Sequence, residues 1–251
     1  MIPAPTRLLQ DKRVLITGGS RGLGSAFCAT FAAEGARVAF SYARDEQGAQ
    51  VTRAACGATG QETRCYKASV LDAAATETMV QDLEKTWVGI DVLVNNAGVS
   101  QVLPLALMDE DDWDRVMDTN VKGTFLTSQA VIRGMIRRKS GVILNIGSLA
   151  GARMFDGPVH YCASKAAIKG LTQAMAKEMA RYQIRVLCLA PGLLDEGMGR
   201  NVPEHGLADY LKHCALGRLG TFHEVARFAA FLVSDQNTYM NGETVIMDGG
   251  V

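Results

Sequence analysis

The residues whose types and spacing most clearly indicate chemistry lie in the segment Tyr161–Lys165, which reads YCASK. Tyr161 and Lys165 are four residues apart in a stretch with helical periodicity, so their side chains share one helix face. A phenol has an ordinary pKa of about 10 and is a poor acid–base group at neutral pH, but an adjacent cation favours the phenolate. We therefore predict that Tyr161 exchanges a proton with a substrate and that Lys165 supplies the cation beside it.

Ser148 and Asn120 are two further polar candidates for the same site. Ser148 follows the apolar run Val142–Ile146, where a strand is expected to end, and its hydroxyl can bind a carbonyl oxygen. The alternative is a serine that only caps a turn or helix. Asn120 lies within a long helical pattern although asparagine is a poor helix former, so it binds water or a backbone carbonyl, or is simply tolerated.

A glycine-rich turn follows the first apolar run and opens directly into an apolar helix. Residues 17–24 read TGGSRGLG, with Gly18, Gly22 and Gly24 in a GxxxGxG spacing. Glycine lets the backbone turn sharply and approach a phosphate, while a helix N-terminus supplies free N–H groups and partial positive charge. The turn predicts a pyrophosphate site, and the alternative is an ordinary turn with close helix–strand packing.

The end of the second predicted strand distinguishes the two nicotinamide dinucleotides. NAD sites often place a carboxylate there to bind the ribose 2′-hydroxyl. Here the strand ends at Tyr42, and Arg44 follows without an acid at the strand end. Arg21 and Arg44 can bind a 2′-phosphate through charge-assisted hydrogen bonds, so we predict NADPH/NADP. The alternative is that both arginines are solvated surface charges near Asp45 and Glu46.

The elements that position these residues alternate between strand and helix. The apolar runs that predict strands are Arg13–Thr17, Arg37–Tyr42, Thr63–Lys67, Val92–Asn95, Val142–Ile146, Ile184–Leu189 and Thr244–Met247. The stretches that predict helices are Leu23–Glu34, Glu46–Ala55, Ala73–Trp87, Asp111–Arg138, Val159–Tyr182 and His223–Val233. We expect a single α/β domain over residues 1–251, a Rossmann-type doubly wound parallel sheet with helices on both faces. The irregular stretch Pro191–His213 is a candidate substrate lid.

Composition excludes several classes of function. Lys plus Arg and Asp plus Glu number 26 each, so no strong field favours nucleic acid or an anionic membrane. Residues 1–11 lack the apolar core of a secretory signal, and no apolar run approaches the roughly 20 residues that span a bilayer. The six cysteines show no metal-ligand spacing, which favours reduced core thiols and no metal site. We expect a cytoplasmic protein without nucleic-acid or membrane partners.

Together these features resemble the short-chain dehydrogenase/reductase family over residues 11–250. The residues that carry the resemblance are Thr17–Gly24, Asn95–Gly98, Asn120, Ser148, Tyr161–Lys165, Pro191–Gly192 and Asp248–Gly250. Within the family the chain most resembles the 3-oxoacyl-[acyl-carrier-protein] reductases. This resemblance implies NADPH-dependent reduction of a carrier-bound 3-oxoacyl thioester in fatty acid or polyketide biosynthesis. The alternatives are a dehydrogenase of a free alcohol, ketone, sugar or steroid, and a non-catalytic NADPH-binding protein.

The resemblance also implies roles for individual residues. Tyr161 exchanges the proton, Lys165 binds the nicotinamide ribose and lowers the pKa of the tyrosine, and Ser148 orients the substrate oxygen. Asn120 holds a proton-relay water. The predicted cofactor-binding residues are Gly18, Ser20, Arg21, Gly22, Leu23, Gly24, Tyr42, Ala43, Arg44, Ser69, Val70, Asn96, Ala97, Gly98, Tyr161, Lys165, Pro191, Gly192 and Leu194.

The chain departs from the family pattern in three places. Ser69 stands where the family often has an aspartate that contacts adenine, and Glu196 lies where a threonine often approaches the nicotinamide. The segment Arg153–His160 has its own sequence, and His160 either faces the pocket or caps the following helix.

Partners are also implied. An acyl carrier protein is acidic, and the basic run Arg137–Lys139 at a helix end is a candidate docking surface, although the same charges complement a helix dipole. The resemblance implies a homotetramer in which helices matching Asp111–Arg138 and Val159–Tyr182 pack against neighbouring copies. Their apolar spacing fits burial against their own sheet equally well.

Overall fold

A parallel seven-stranded sheet forms the centre of the molecule. The computed structural model describes residues 7–197, 202 and 204–251. The strands are β1 Arg13–Ile16, β2 Arg37–Tyr42, β3 Thr63–Lys67, β4 Val92–Asn95, β5 Gly141–Ile146, β6 Ile184–Pro191 and β7 Thr244–Met247. Their order across the sheet is β3-β2-β1-β4-β5-β6-β7, which confirms the predicted doubly wound fold.

Helices cover both faces of this sheet. They are α1 Gly22–Ala33, α2 Glu46–Gly57, α3 Ala73–Trp87, α4 Glu110–Met117, α5 Gly123–Arg138, α6 Leu149–Ala152, α7 Val159–Met179, α8 Glu204–His213 and α9 Phe222–Val233. Helices α1, α2 and α9 bury apolar residues against one face, and α3, α5 and α7 against the other. Both faces of the sheet are therefore dry, which explains why the strands read as continuous apolar runs.

Several predicted boundaries differ from the structure, and two of the differences have a clear physical reason. The predicted helix Asp111–Arg138 is interrupted by a π-helical turn at Asp118–Lys122, which separates α4 from α5. The predicted strand end at Leu189 falls short because β6 continues to Pro191, where Ala190 and Pro191 pair with β7. Such turns and pairings depend on neighbouring elements rather than on local sequence.

The candidate lid Pro191–His213 is not irregular throughout. Its first residue completes β6, and its second half forms the helix α8, Glu204–His213. Residues 198–201 and 203 of the predicted lid lie outside the described residues. Among the described residues, no helix is long and apolar enough to cross a membrane.

Candidate active site

The predicted site residues meet where the strands end at their carboxyl termini. The glycine turn follows β1, residues 96–98 follow β4, and Ser148 follows β5. β1 and β4 are adjacent although β2 and β3 lie between them in the chain, so the strand order reverses at this point. In open parallel sheets this reversal leaves a crevice that accepts ligands.

The glycine turn after β1 is folded into a narrow cradle. Gly18 has a φ of +70°, a conformation that L side chains rarely adopt. A Cβ on Gly18 would lie 3.0 Å from the Cα of Ala97, and a Cβ on Gly24 would overlap the carbonyl oxygen of Gly18. The turn is thus folded back on the start of α1, and no side chain fits between these backbones.

Asn96 holds this cradle in place. Its amide Nδ2 donates to the carbonyl oxygens of Thr17 at 2.9 Å and Gly18 at 3.2 Å. In return, the hydroxyl of Thr17 accepts from the backbone N–H groups of Asn96 at 3.1 Å and Ala97 at 3.0 Å. Asn96 is a predicted cofactor-binding residue, and the amide hydrogens of its side chain bind the cradle. We assign it a positioning role.

The two arginines predicted to bind a 2′-phosphate are exposed. Within the part of the chain that the structure describes, neither Arg21 nor Arg44 forms an ion pair. The nearby acids are engaged elsewhere. The carboxylate of Asp45 caps α2 by accepting from the N–H of Gly48 at 2.9 Å, and that of Glu46 lies 4.0 Å from the ammonium of Lys67. Two cations therefore remain available beside the cradle.

Ser69 and Val70 differ in what they offer the predicted adenine site. The hydroxyl of Ser69 accepts from the N–H of Leu71 at 3.3 Å and so closes its own turn. Val70 is buried, and its side chain fills the space above Gly123, where a Cβ would lie 2.5 Å from Val70 Cγ2. Val70 thus fixes the loop after β3 against α5, and Ser69 brings no carboxylate to the site.

Tyr161, Lys165 and Ser148 converge as predicted. The ammonium of Lys165 lies 5.7 Å from the centre of the Tyr161 ring, and the Ser148 side chain lies close enough to Tyr161 to act on the pKa of its phenol. The hydroxyl of Ser148 also accepts from the N–H of Ala150 at 3.2 Å, so the serine caps α6 as well. Both interpretations of Ser148 are therefore compatible with its position.

Burial shifts the pKa values of Tyr161 and Lys165. Burial raises the pKa of Tyr161, while the Ser148 side chain acts in the opposite direction. The lowering of the tyrosine pKa by Lys165 stays a prediction, because desolvation of the phenolate is the largest cause acting on Tyr161 in this structure. Burial also lowers the pKa of Lys165 to about 8, and Cys188 opposes that shift.

Asn120 lies in the π-helical turn and links three elements. Its Nδ2 donates to the carbonyl oxygen of Val99 at 3.0 Å and to the hydroxyl of Ser164 at 2.9 Å, and its Oδ1 accepts from the N–H of Val99 at 2.8 Å. The backbone carbonyl of Asn120 accepts from the Thr124 hydroxyl at 2.8 Å. Both amide hydrogens are used, so a relay water can meet Asn120 only at an oxygen.

A series of buried side-chain hydrogen bonds beneath the site was not predicted from the sequence. Asn95 Nδ2 donates to the Ser128 hydroxyl and to Asn145 Oδ1, each at 2.9 Å. Asn145 Nδ2 donates to the Thr172 hydroxyl at 2.9 Å. These hydrogen bonds join β4 and β5 to α5 and α7 beneath the predicted catalytic residues. Asn145 in the otherwise apolar run VILNI was the available signal.

The basic run Arg137–Lys139 does not border the site in a single chain. It lies at the end of α5, next to the amino end of β5, whereas the predicted site lies at the carboxyl ends of the strands. Arg138 donates to Glu84 and to the carbonyl oxygen of Ile90, and Arg137 lies 3.5 Å from the same glutamate. Docking of an acyl carrier protein on this run stays a prediction, and in a single chain the run does not border the site.

His160 is fully buried in the first turn of α7, and Pro158 is the N-cap residue of that helix. Burial lowers the pKa of its imidazole, and the charges of Asp112 and Arg115 on α4 act on it. Its Nδ1 accepts from the N–H of Tyr161 at 2.9 Å. The ring therefore packs at the start of α7 against α4 rather than standing free in the pocket.

The family model described as short chain dehydrogenase matches residues 12–206. The chain belongs to this family. The chain is 37% identical to the 3-oxoacyl-[acyl-carrier-protein] reductase of Chlamydia muridarum, over 97% of this chain and 98% of that protein. It is 36% identical to the reductase of the same name from Escherichia coli, over 96% and 98%.

Solved structures agree with this family assignment. A short-chain dehydrogenase/reductase from Serratia marcescens superposes with a TM-score of 0.89 at 35% identity, covering 97% of this chain and 98% of that one. A short-chain dehydrogenase from Burkholderia cenocepacia in complex with NADP gives a TM-score of 0.89 at 33% identity, with the same coverage. The predicted family and fold are thus confirmed.

Proposed function

We propose that this short-chain dehydrogenase is an NADPH-dependent reductase that converts a 3-oxoacyl thioester on an acyl carrier protein into the 3-hydroxyacyl thioester. The observation that carries the proposal is the convergence of Ser148, Tyr161 and Lys165 beside the glycine cradle. Relatives with this named activity match 97% of the chain, which supports the choice of substrate.

The residues present fit NADPH. The cradle formed by Gly18 and Gly24 leaves no room for a side chain, and Arg21 and Arg44 offer positive charge for a 2′-phosphate. Gly98 also passes close to the site, because a Cβ there would lie 3.2 Å from the Oδ1 of Asn120. When bound, the cofactor supplies the hydride that adds to the carbonyl carbon.

The proton comes from the protein. Because burial raises the pKa of Tyr161, its phenol is protonated at neutral pH and can act as an acid. Ser148 and Tyr161 orient the carbonyl oxygen by hydrogen bonds. One hydride on carbon and the Tyr161 proton on oxygen convert C=O to CH–OH, which balances the reaction. The cation of Lys165 stabilises the phenolate that remains.

An apolar cluster beside Ser148 suits an acyl chain. Leu149 is buried with Tyr210 and Cys214, and Phe155, Leu193 and Leu211 pack against them. The cluster joins the loop after β5 to α8 in the second half of the candidate lid. On the basis of this contact, we assign the described part of this segment, residues 191–197, 202 and 204–213, as the cover over the acyl chain.

We assign a homotetramer in the cytoplasm with an acyl carrier protein as its partner. An apolar groove on α4, α5 and α7 supports the assembly, and its lining includes Met117, Val121, Phe125 and Leu171. Phe125 is 46% exposed in the single chain, a state that a second copy would relieve. A monomeric mass in solution at working concentration contradicts this assembly.

The substrate proposal is tested by following NADPH oxidation with a panel of substrates. The panel contains a carrier-bound 3-oxoacyl thioester, acetoacetyl thioesters without carrier, and small ketones, each with NADPH and NADH. We expect the highest kcat/KM for the carrier-bound thioester with NADPH. Turnover confined to small ketones overturns the substrate class, and no turnover with any substrate favours a non-catalytic NADPH-binding protein.

A further inference from the structure

The hydroxyl of Tyr210 on α8 bridges two backbone segments at the edge of the site. It accepts a hydrogen bond from the N–H of Leu193 at 3.1 Å and donates one to the carbonyl oxygen of Asp248 at 2.9 Å. The side chain is 5% exposed, so water does not readily replace these bonds. A buried bridge of this kind fixes the distance between the segments that it joins.

The first segment contains predicted cofactor contacts. Leu193 follows Pro191 and Gly192 at the end of β6, and the N–H of Gly192 donates to the carbonyl oxygen of Met247 at 2.9 Å. A Cβ on Gly192 would overlap the Tyr210 hydroxyl and lie 2.9 Å from the Cα of Asp248. The loop is therefore pressed against the phenol, and only glycine allows this approach.

The second segment connects Tyr210 to the loop after Ser148. The carboxylate of Asp248 lies 3.2 Å from the guanidinium of Arg153, which ends α6. The Tyr210 hydroxyl, Asp248 and Arg153 thus join the lid helix, the end of β7 and the segment that carries Ser148. None of these groups belongs to the proton-transfer set.

We propose that Tyr210 is a positioning residue that holds the loop Gly192–Leu194 in the position required for NADP(H) binding. Removing its hydroxyl leaves the N–H of Leu193 and the carbonyl of Asp248 without this partner in a buried place, so the loop shifts or loosens. The cofactor affinity then falls, while proton transfer at Tyr161 is untouched. The inference rests on the proposed function for the identity of the cofactor.

The test uses Tyr210→Phe in the full-length protein, because phenylalanine keeps the ring and removes only the hydroxyl. Hydrogen exchange of the Leu193 amide in the cofactor-free protein should accelerate, while that of Gly192 stays close to wild type. The Kd for NADPH, measured by fluorescence titration, should rise about 3- to 10-fold. The pH dependence of kcat should keep its wild-type shape.

Tyr66→Phe is the matched control, since the Tyr66 hydroxyl donates to Asp82 at 2.6 Å on the far side of the sheet. This variant should leave both the Leu193 exchange rate and the NADPH affinity unchanged. Unchanged values in Tyr210→Phe, or equal changes in both variants, overturn the proposal. Exchange and binding need no substrate, so failure of the wild type to reduce thioesters would reject the proposed function and leave this test intact.

Discussion

The ammonium of Lys165 donates to the backbone carbonyl of Ile146 at 2.8 Å. Ile146 ends β5 two residues before Ser148, and Lys165 lies one helical turn after Tyr161. This hydrogen bond, together with the one from Asn145 to Thr172, joins the helix that carries Tyr161 to the strand that leads to Ser148. Because the ammonium is buried there, its pKa falls to about 8.

This shift predicts a pH-dependent stability difference between the wild type and Lys165→Met. The pKa of Lys165 is lower in the folded protein than its ordinary value of 10.5, so the unfolded chain binds more protons between pH 8 and 10.5. The contribution of this lysine to stability therefore rises with pH across that window. In urea unfolding of the cofactor-free proteins, the free energy of unfolding of the wild type should rise relative to that of the variant as the pH increases from 8 to 10.5.

Lys177→Met serves as the control for that experiment, because it removes an exposed lysine from the same helix. A free-energy difference between wild type and Lys165→Met that stays flat between pH 8 and 10.5 would contradict the assigned shift.

The cradle predicts opposite outcomes for two glycine substitutions. Gly24→Ala places a Cβ on the Gly18 carbonyl, which costs roughly 1–3 kcal/mol of overpacking and should abolish tight NADPH binding. Gly57→Ala meets no heavy atom within 4 Å and should leave both stability and binding near wild type. Isothermal titration with NADPH compares the two. Tight binding by Gly24→Ala would show that the cradle does not hold phosphate.

Arg21 and Arg44, which form no ion pair with the described residues, predict a preference for NADPH over NADH. Replacing both Arg21 and Arg44 with alanine removes hydrogen bonds to a charged phosphate, each worth about 1.5–3 kcal/mol. The combined loss of about 3–6 kcal/mol should lower the kcat/KM for NADPH by roughly 10²- to 10⁴-fold, whereas the kcat/KM for NADH should change little. Arg53→Ala, on the exposed side of α2, is the control. Equal losses of kcat/KM with NADPH and NADH would contradict binding of the 2′-phosphate by these two arginines.

Much of the fold could be predicted from the sequence, because strands buried on both faces read as apolar runs and glycine marks the phosphate turn. The seven strands, the cradle at Gly18–Gly24 and the meeting of Tyr161 with Lys165 all follow from such local patterns. Ser148 was found because it ends an apolar run, and carboxyl ends of parallel strands share one edge.

The rest depends on contacts between distant segments. The π-helical turn at Asn120 leaves the apolar spacing of its helix intact, so the pattern does not show it. Pro203 and Gly206 weaken the helical signal of α8, and tertiary packing of Tyr210 fixes that helix. The raised pKa of Tyr161 depends on burial, which the spacing of Tyr161 and Lys165 does not report.

The central claim is that the Tyr161 phenol donates the proton for NADPH-dependent reduction of a 3-oxoacyl thioester. The most direct measurement follows NADPH consumption and 3-hydroxyacyl product with wild type, Tyr161→Phe and Tyr239→Phe, the last altering a fully exposed tyrosine. We predict stoichiometric product from wild type and Tyr239→Phe, and a loss of about 100-fold or more in Tyr161→Phe with NADPH binding retained. Wild-type turnover in Tyr161→Phe would contradict the assigned mechanism.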